Sequence, residues 1–123
     1  MRNLEGGQWT GLATARVLVL GGDDRKGAAA RLQAALGCAE LHWERTDTIK
    51  RRRVAERVVQ HGRWDLVLFL AAFVSHSISN PVVRTCKQAG VAFAFVPHGY
   101  GSAAVFSAVA RYAPHLLQMG GGR

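Results

Sequence analysis

The sequence predicts one α/β domain built on a four-stranded parallel sheet with strand order 2-1-3-4. Three observations predict it. Residues 15–20 and 64–73 are nearly unbroken apolar runs, as strands buried on both faces of a parallel sheet are. Segments with helical periodicity alternate with the strand-like runs. Gly37, Gly62 and Gly90 follow three of those segments, where a helix C-terminal cap belongs.

Residues 15–20 form the first strand and run into the tight turn at Gly21-Gly22. Residues 26–36 are Ala-rich, with Ala28, Ala29, Leu32, Ala35 and Leu36 on one helical face. Residues 39–43 make a second, less apolar strand. A second helix covers residues 48–61, with Val54, Ala55, Val58 and Val59 facing the core. Residues 64–73 are the third strand, and residues 75–89 a helix burying Val82, Val83, Cys86 and Ala89. Residues 91–96 are the fourth strand, closed by Pro97, and residues 102–113 the last helix, stopped by Pro114. Strands that alternate with helices require right-handed crossovers and helices on both faces of the sheet. The expected architecture is thus a three-layer, Rossmann-like or flavodoxin-like domain over residues 15–119, with a flexible N-terminal segment at 1–14 and a flexible tail at 120–123.

The chain of 123 residues has one domain's length and an ordinary globular balance of 49% hydrophobic and 20% charged residues. Its longest apolar run, residues 66–74, is too short to span a bilayer, and residues 1–14 lack the apolar core of a signal peptide. A cytoplasmic location without membrane contact is expected. Cys38 and Cys86 show neither metal spacing nor a C-x-x-C pattern and read as reduced core thiols. Sixteen Lys and Arg against eight Asp and Glu give a net charge of +8, which suits a polyanion or acidic protein partner, or a basic soluble surface. The fourth strand, Ala-Phe-Ala-Phe-Val over 92–96, is apolar on both faces yet falls at the sheet edge. A homo-oligomer through strand 91–96 or helix 102–113 is therefore expected.

In open parallel sheets ligands bind beyond the carboxyl ends of the strands, where the strand order reverses. The loops predicted there are polar, Gly-rich or His-bearing. The first holds Gly22, Asp23, Asp24, Arg25 and Lys26. Its glycines let helix-start amides point at a phosphate, and its cations add charge; a plain turn with Asp23 or Asp24 as helix N-cap accounts for the same residues. The third-strand loop places Ser75 at a helix N-cap and His76 just after it. A positive helix end favours the neutral imidazole. The fourth-strand loop carries His98, Tyr100 and Ser102, with Tyr100 placed to stack on a planar ligand and Ser102 as an N-cap. Asp23, His76 and His98 have ligand chemistry but come from three loops without diagnostic spacing, so no metal or cofactor is expected. Ser75 beside His76 is not a catalytic triad, because neighbouring helical residues face different ways.

The second helix is the other feature. Lys50, Arg53 and Arg57 form one stripe, with Arg51 and Arg52 beside it. This is a solvated basic face or a contact for nucleic-acid backbone phosphates.

Val17 to Gly27 (Val-Leu-Val-Leu-Gly-Gly-Asp-Asp-Arg-Lys-Gly), Phe73 to His76 (Phe-Val-Ser-His) and Cys86 to Gly90 (Cys-Lys-Gln-Ala-Gly) resemble a family of small bacterial proteins known as domain of unknown function 2325. The resemblance spans about residues 16–109. It implies a small Rossmann-like domain, points to Asp23, Asp24, Ser75 and His76 as a shared site, and implies no activity. His98 departs from the family pattern. So does Pro81, which predicts a kink or a short 3₁₀ turn in the helix after Val-Ser-His.

The function expected from the residues is a non-enzymatic binding or accessory module with a phosphate or nucleotide site at the strand ends. The alternatives are a basic protein that contacts nucleic acid through helix 48–61, and a small phosphohydrolase using Asp23 or Asp24 with His76.

Overall fold

The computed structural model describes residues 10–21, 27–45, 63–71, 76–97, 99 and 101–117. Its elements are α1 (Thr10–Ala13), β1 (Arg16–Leu20), α2 (Ala28–Leu36), β2 (Glu40–Glu44), β3 (Leu66–Leu70), α3 (His76–Ala89), β4 (Ala92–Val96) and α4 (Ser102–Tyr112), followed by a 3₁₀ turn at Pro114–Leu117. The strands form one parallel sheet in the order β2-β1-β3-β4, the predicted order. The basic segment predicted as helix 48–61 and the tail 120–123 lie outside the described residues.

The register fixes what each face of the sheet carries. Val17 pairs with Leu66 and Leu66 with Ala92, so these side chains share one face; Leu18, Val67 and Phe93 share the other. The first face packs against α1, α2, α4 and the 3₁₀ turn through Leu12, Leu32, Leu36, Val105 and Val109. The second packs against α3 through Val82 and Cys86. Residues 17–20 and 66–70 are all 0% exposed, which only a strand covered on both sides achieves. Phe69 is the largest fully buried side chain; it stacks on Phe95 at 4.9 Å between ring centres and meets Phe93 edge-on at 6.3 Å.

The structure departs from the sequence reading in three places. Leu12 is fully buried, so the packed chain reaches back at least to α1 rather than starting at residue 15. Pro81 sits inside α3 without ending it: a proline deprives the helix of one amide donor, while Val82 and Cys86, fully buried a turn apart beyond it, hold the following part of the helix to the sheet. The amino ends of the strands, where the sequence shows no such concentration of polar, Gly-rich or His-bearing loops, carry a charged clasp. There Arg16 Nε donates to Glu40 Oε1 at 3.1 Å, its Nη1 donates to the Arg63 carbonyl at 3.0 Å, and its guanidinium lies 4.9 Å from the Trp64 ring centre. The Arg16 amide donates to Asp65 Oδ2 at 2.8 Å, tying β1 to the start of β3.

Phe69→Ala is expected to cost about 3–5 kcal/mol in denaturant unfolding, because it opens a cavity between sheet and α3. Arg16→Ala is expected to cost about 1 kcal/mol or less, since the clasp is partly solvated.

Cys38 and Cys86 are buried and free, and burial pushes both thiols up to about 11. Neither is expected to react with a disulfide reagent at neutral pH until the protein unfolds. The folded state holds these protons more tightly than the unfolded chain does. Stability is therefore expected to fall as pH rises from the ordinary thiol value of 9.0 through about 11, measured as the unfolding midpoint against pH.

Candidate functional site at the strand carboxyl ends

β1 leaves the sheet through Gly21, which is buried and has φ +143°, a conformation that favours glycine. The Gly21 carbonyl accepts a hydrogen bond from Trp43 Nε1 at 2.8 Å, and its amide donates to the Glu44 carbonyl at 3.4 Å. β2 thus fastens the point at which the first loop begins. The chain is next described at Gly27, with φ +71°. Gly27 is the N-cap of α2, and its carbonyl accepts from the Arg31 amide at 3.1 Å.

The last helix starts in the same way. Gly101 is extended, with φ −65° and ψ 154°, and its carbonyl accepts from the Val105 amide at 3.0 Å. Among the described residues, neither helix start receives a hydrogen bond from a capping side chain. The first amides of a helix have no partner within it, so each start carries donors and the positive end of a dipole.

These two starts open onto one cavity of about 370 Å3, lined by Ala28, Arg31, Leu32, Ala35, Gly101 and Ser102. Arg31 supplies its charge. A Cβ built on Gly27 would lie 3.8 Å from Arg31 Nη1, so the guanidinium folds back over the start of its own helix. The small residues Ala28, Gly101 and Ser102 leave the space.

Two caps differ from expectation. Ser102 is already helical, and Gly101 takes the cap position because its extended backbone puts its carbonyl in reach of Val105. The cap of α2 is Gly27, so neither Asp23 nor Asp24 fills that role, and the helix starts at Ala28 rather than near residue 26. Of the residues predicted for the site, Ser102 lines the cavity and His76 opens α3. Gly22, Asp23, Asp24, Arg25, Lys26, Ser75, His98 and Tyr100 lie outside the described residues, as do Lys50, Arg51, Arg52, Arg53 and Arg57.

No protein-family model, curated protein or solved structure matches the chain.

Sequence reasoning passed over two groups. Arg31 lies off the apolar face of α2; it is a cation one turn from the glycine that caps the helix, which is a usable signal. Glu44 is a buried charged residue at the carboxyl end of β2, and His42 Nε2 lies 2.8 Å from its Oε1. Alternation along β2 puts His42 and Glu44 on one face, opposite to Leu41 and Trp43, and the ring satisfies the carboxylate.

Gly21→Ala is expected to cost at least about 1 kcal/mol, because alanine strains at this φ. Trp43→Phe is expected to cost about 1 kcal/mol by leaving the Gly21 carbonyl without that donor. Both are measured as shifts in chemical unfolding.

Proposed function

We propose that this chain is a non-enzymatic, cytoplasmic accessory module that binds a phosphate-bearing ligand at the carboxyl ends of its parallel strands. The observation that carries the reading is the cavity between the starts of α2 and α4, with Arg31 folded over one of them. Its volume of about 370 Å3 suits a phosphate group or a small nucleotide portion. Backbone amides at helix starts recognise phosphate oxygens without a dedicated motif, and a guanidinium adds a charge-assisted pair of donors. The glycine-rich turn over residues 21–27 and Ser75-His76 belong to the same reading, as does the resemblance to family 2325, which brings no activity with it.

The net charge of +8 favours a second reading, in which Lys50, Arg51, Arg52, Arg53 and Arg57 contact nucleic-acid backbone phosphates. The two separate by salt and by variant. Nucleic-acid binding would weaken with a log–log salt slope of about −0.9 for each phosphate neutralised and be lost on Arg53→Glu with Arg57→Glu.

Inorganic phosphate, pyrophosphate and nucleoside mono- and diphosphates, tested in turn, are expected to raise the melting temperature saturably. Arg31→Ala is expected to weaken that binding about tenfold, the loss of one charge-assisted contact. No stabilisation by any of these anions, or binding that Arg31→Ala leaves unchanged, contradicts the assignment.

A further inference from the structure

We propose that the cavity between α2 and α4 takes a phosphomonoester with a compact apolar body joined directly to the phosphate, in preference to a bare phosphate or a polyhydroxylated ester. The inference rests on the anion reading above and adds the class of ligand.

The α2 wall of the cavity changes character along its length. Ala28, Leu32 and Ala35 stand at i, i+4 and i+7, so they form one stripe down one face of the helix. Ala35 lies two turns, about 10 Å, from Ala28 at the helix start. Arg31 is the one charged group in this lining among the described residues, and its guanidinium folds back toward Gly27, at the start of the helix. The charge and the helix-start amides therefore gather at one end of the wall. Leu32 and Ala35 continue it with no hydrogen-bonding side chain.

Size points the same way. The cavity measures about 370 Å3. A phosphate group has five non-hydrogen atoms and, at roughly 30 Å3 for each water-sized group, fills less than half of that space. Whatever fills the remainder meets the Leu32 side chain and the Ala35 methyl group. The carbonyls of a helix interior are already bonded within the helix, so a hydroxyl against this wall gives up water without a replacement partner. A ring or short alkyl group has nothing to give up and gains by leaving water. The alanine at position 35 is what keeps the space open, because a longer side chain there would occupy it.

Three esters of equal charge test this by calorimetric titration of the full chain: methyl phosphate, phenyl phosphate and glycerol phosphate. Phenyl phosphate is expected to bind about tenfold tighter than methyl phosphate, the gain from burying roughly 60 Å2 of apolar surface. Glycerol phosphate is expected to bind no tighter than methyl phosphate. Ala35→Leu and Ala35→Met, both good helix formers, are expected to remove the phenyl gain while leaving methyl phosphate binding unchanged. Retained methyl phosphate binding shows that each variant is folded, and the comparison of esters on the unaltered chain needs no variant. Methyl phosphate binding without a phenyl gain overturns the inference and leaves the anion reading standing. An equal gain for glycerol phosphate overturns it too, as does a phenyl gain that both substitutions leave intact. Failure of all three esters to bind overturns both readings.

Discussion

Complete exclusion of residues 17–20 of β1 and of all of β3 from water is the constraint on which the rest of this structure depends. A parallel sheet has to be covered on both faces, since crossovers place helices there. Residues 17–20 and 66–70 meet that demand with Val, Leu and Phe alone and are fully buried. No polar group has a place in those stretches, so charged and hydrogen-bonding chemistry is driven to the strand ends and to the two edges. The molecule's four regions of interest are those two ends and those two edges.

The ends are built differently. At the amino end, Arg16 joins Glu40, Arg63 and the Trp64 ring, while the Arg16 amide holds Asp65. Those contacts satisfy the groups that make them, and the result is a clasp. At the carboxyl end Trp43 and Glu44 secure the exit of β1 at Gly21, while the starts of α2 and α4 have glycine caps and face a cavity. Under the proposed reading such a fixed frame serves anion binding, because the cost of ordering the donors is met in folding rather than in binding.

Sheet order, strand direction and core were legible because continuous apolar runs leave few alternatives once right-handed crossovers are imposed. Buried Val82 and Cys86 were legible from helical periodicity. The caps were not. Whether Ser102 or Gly101 closes α4 turns on a single extended residue and one carbonyl contact, a distinction below what residue type conveys. Arg31 and Glu44 differ in this respect: the spacing of Arg31 from Gly27 is readable in the sequence, whereas the fold of Glu44 onto His42 is not. The continuation of α3 through Pro81 goes with the burial of Val82 and Cys86 just beyond it, packing that overrides a local preference.

In the proposed function, α2 and α4 present their first turns to one ligand. An amide-resolved NMR titration with pyrophosphate reads this directly. Saturable shifts are predicted for the amides of Gly27 through Arg31 and of Gly101 through Ala104, with a common dissociation constant for the two sets. Shifts confined to other parts of the chain, or two sets that titrate with different constants, would contradict it.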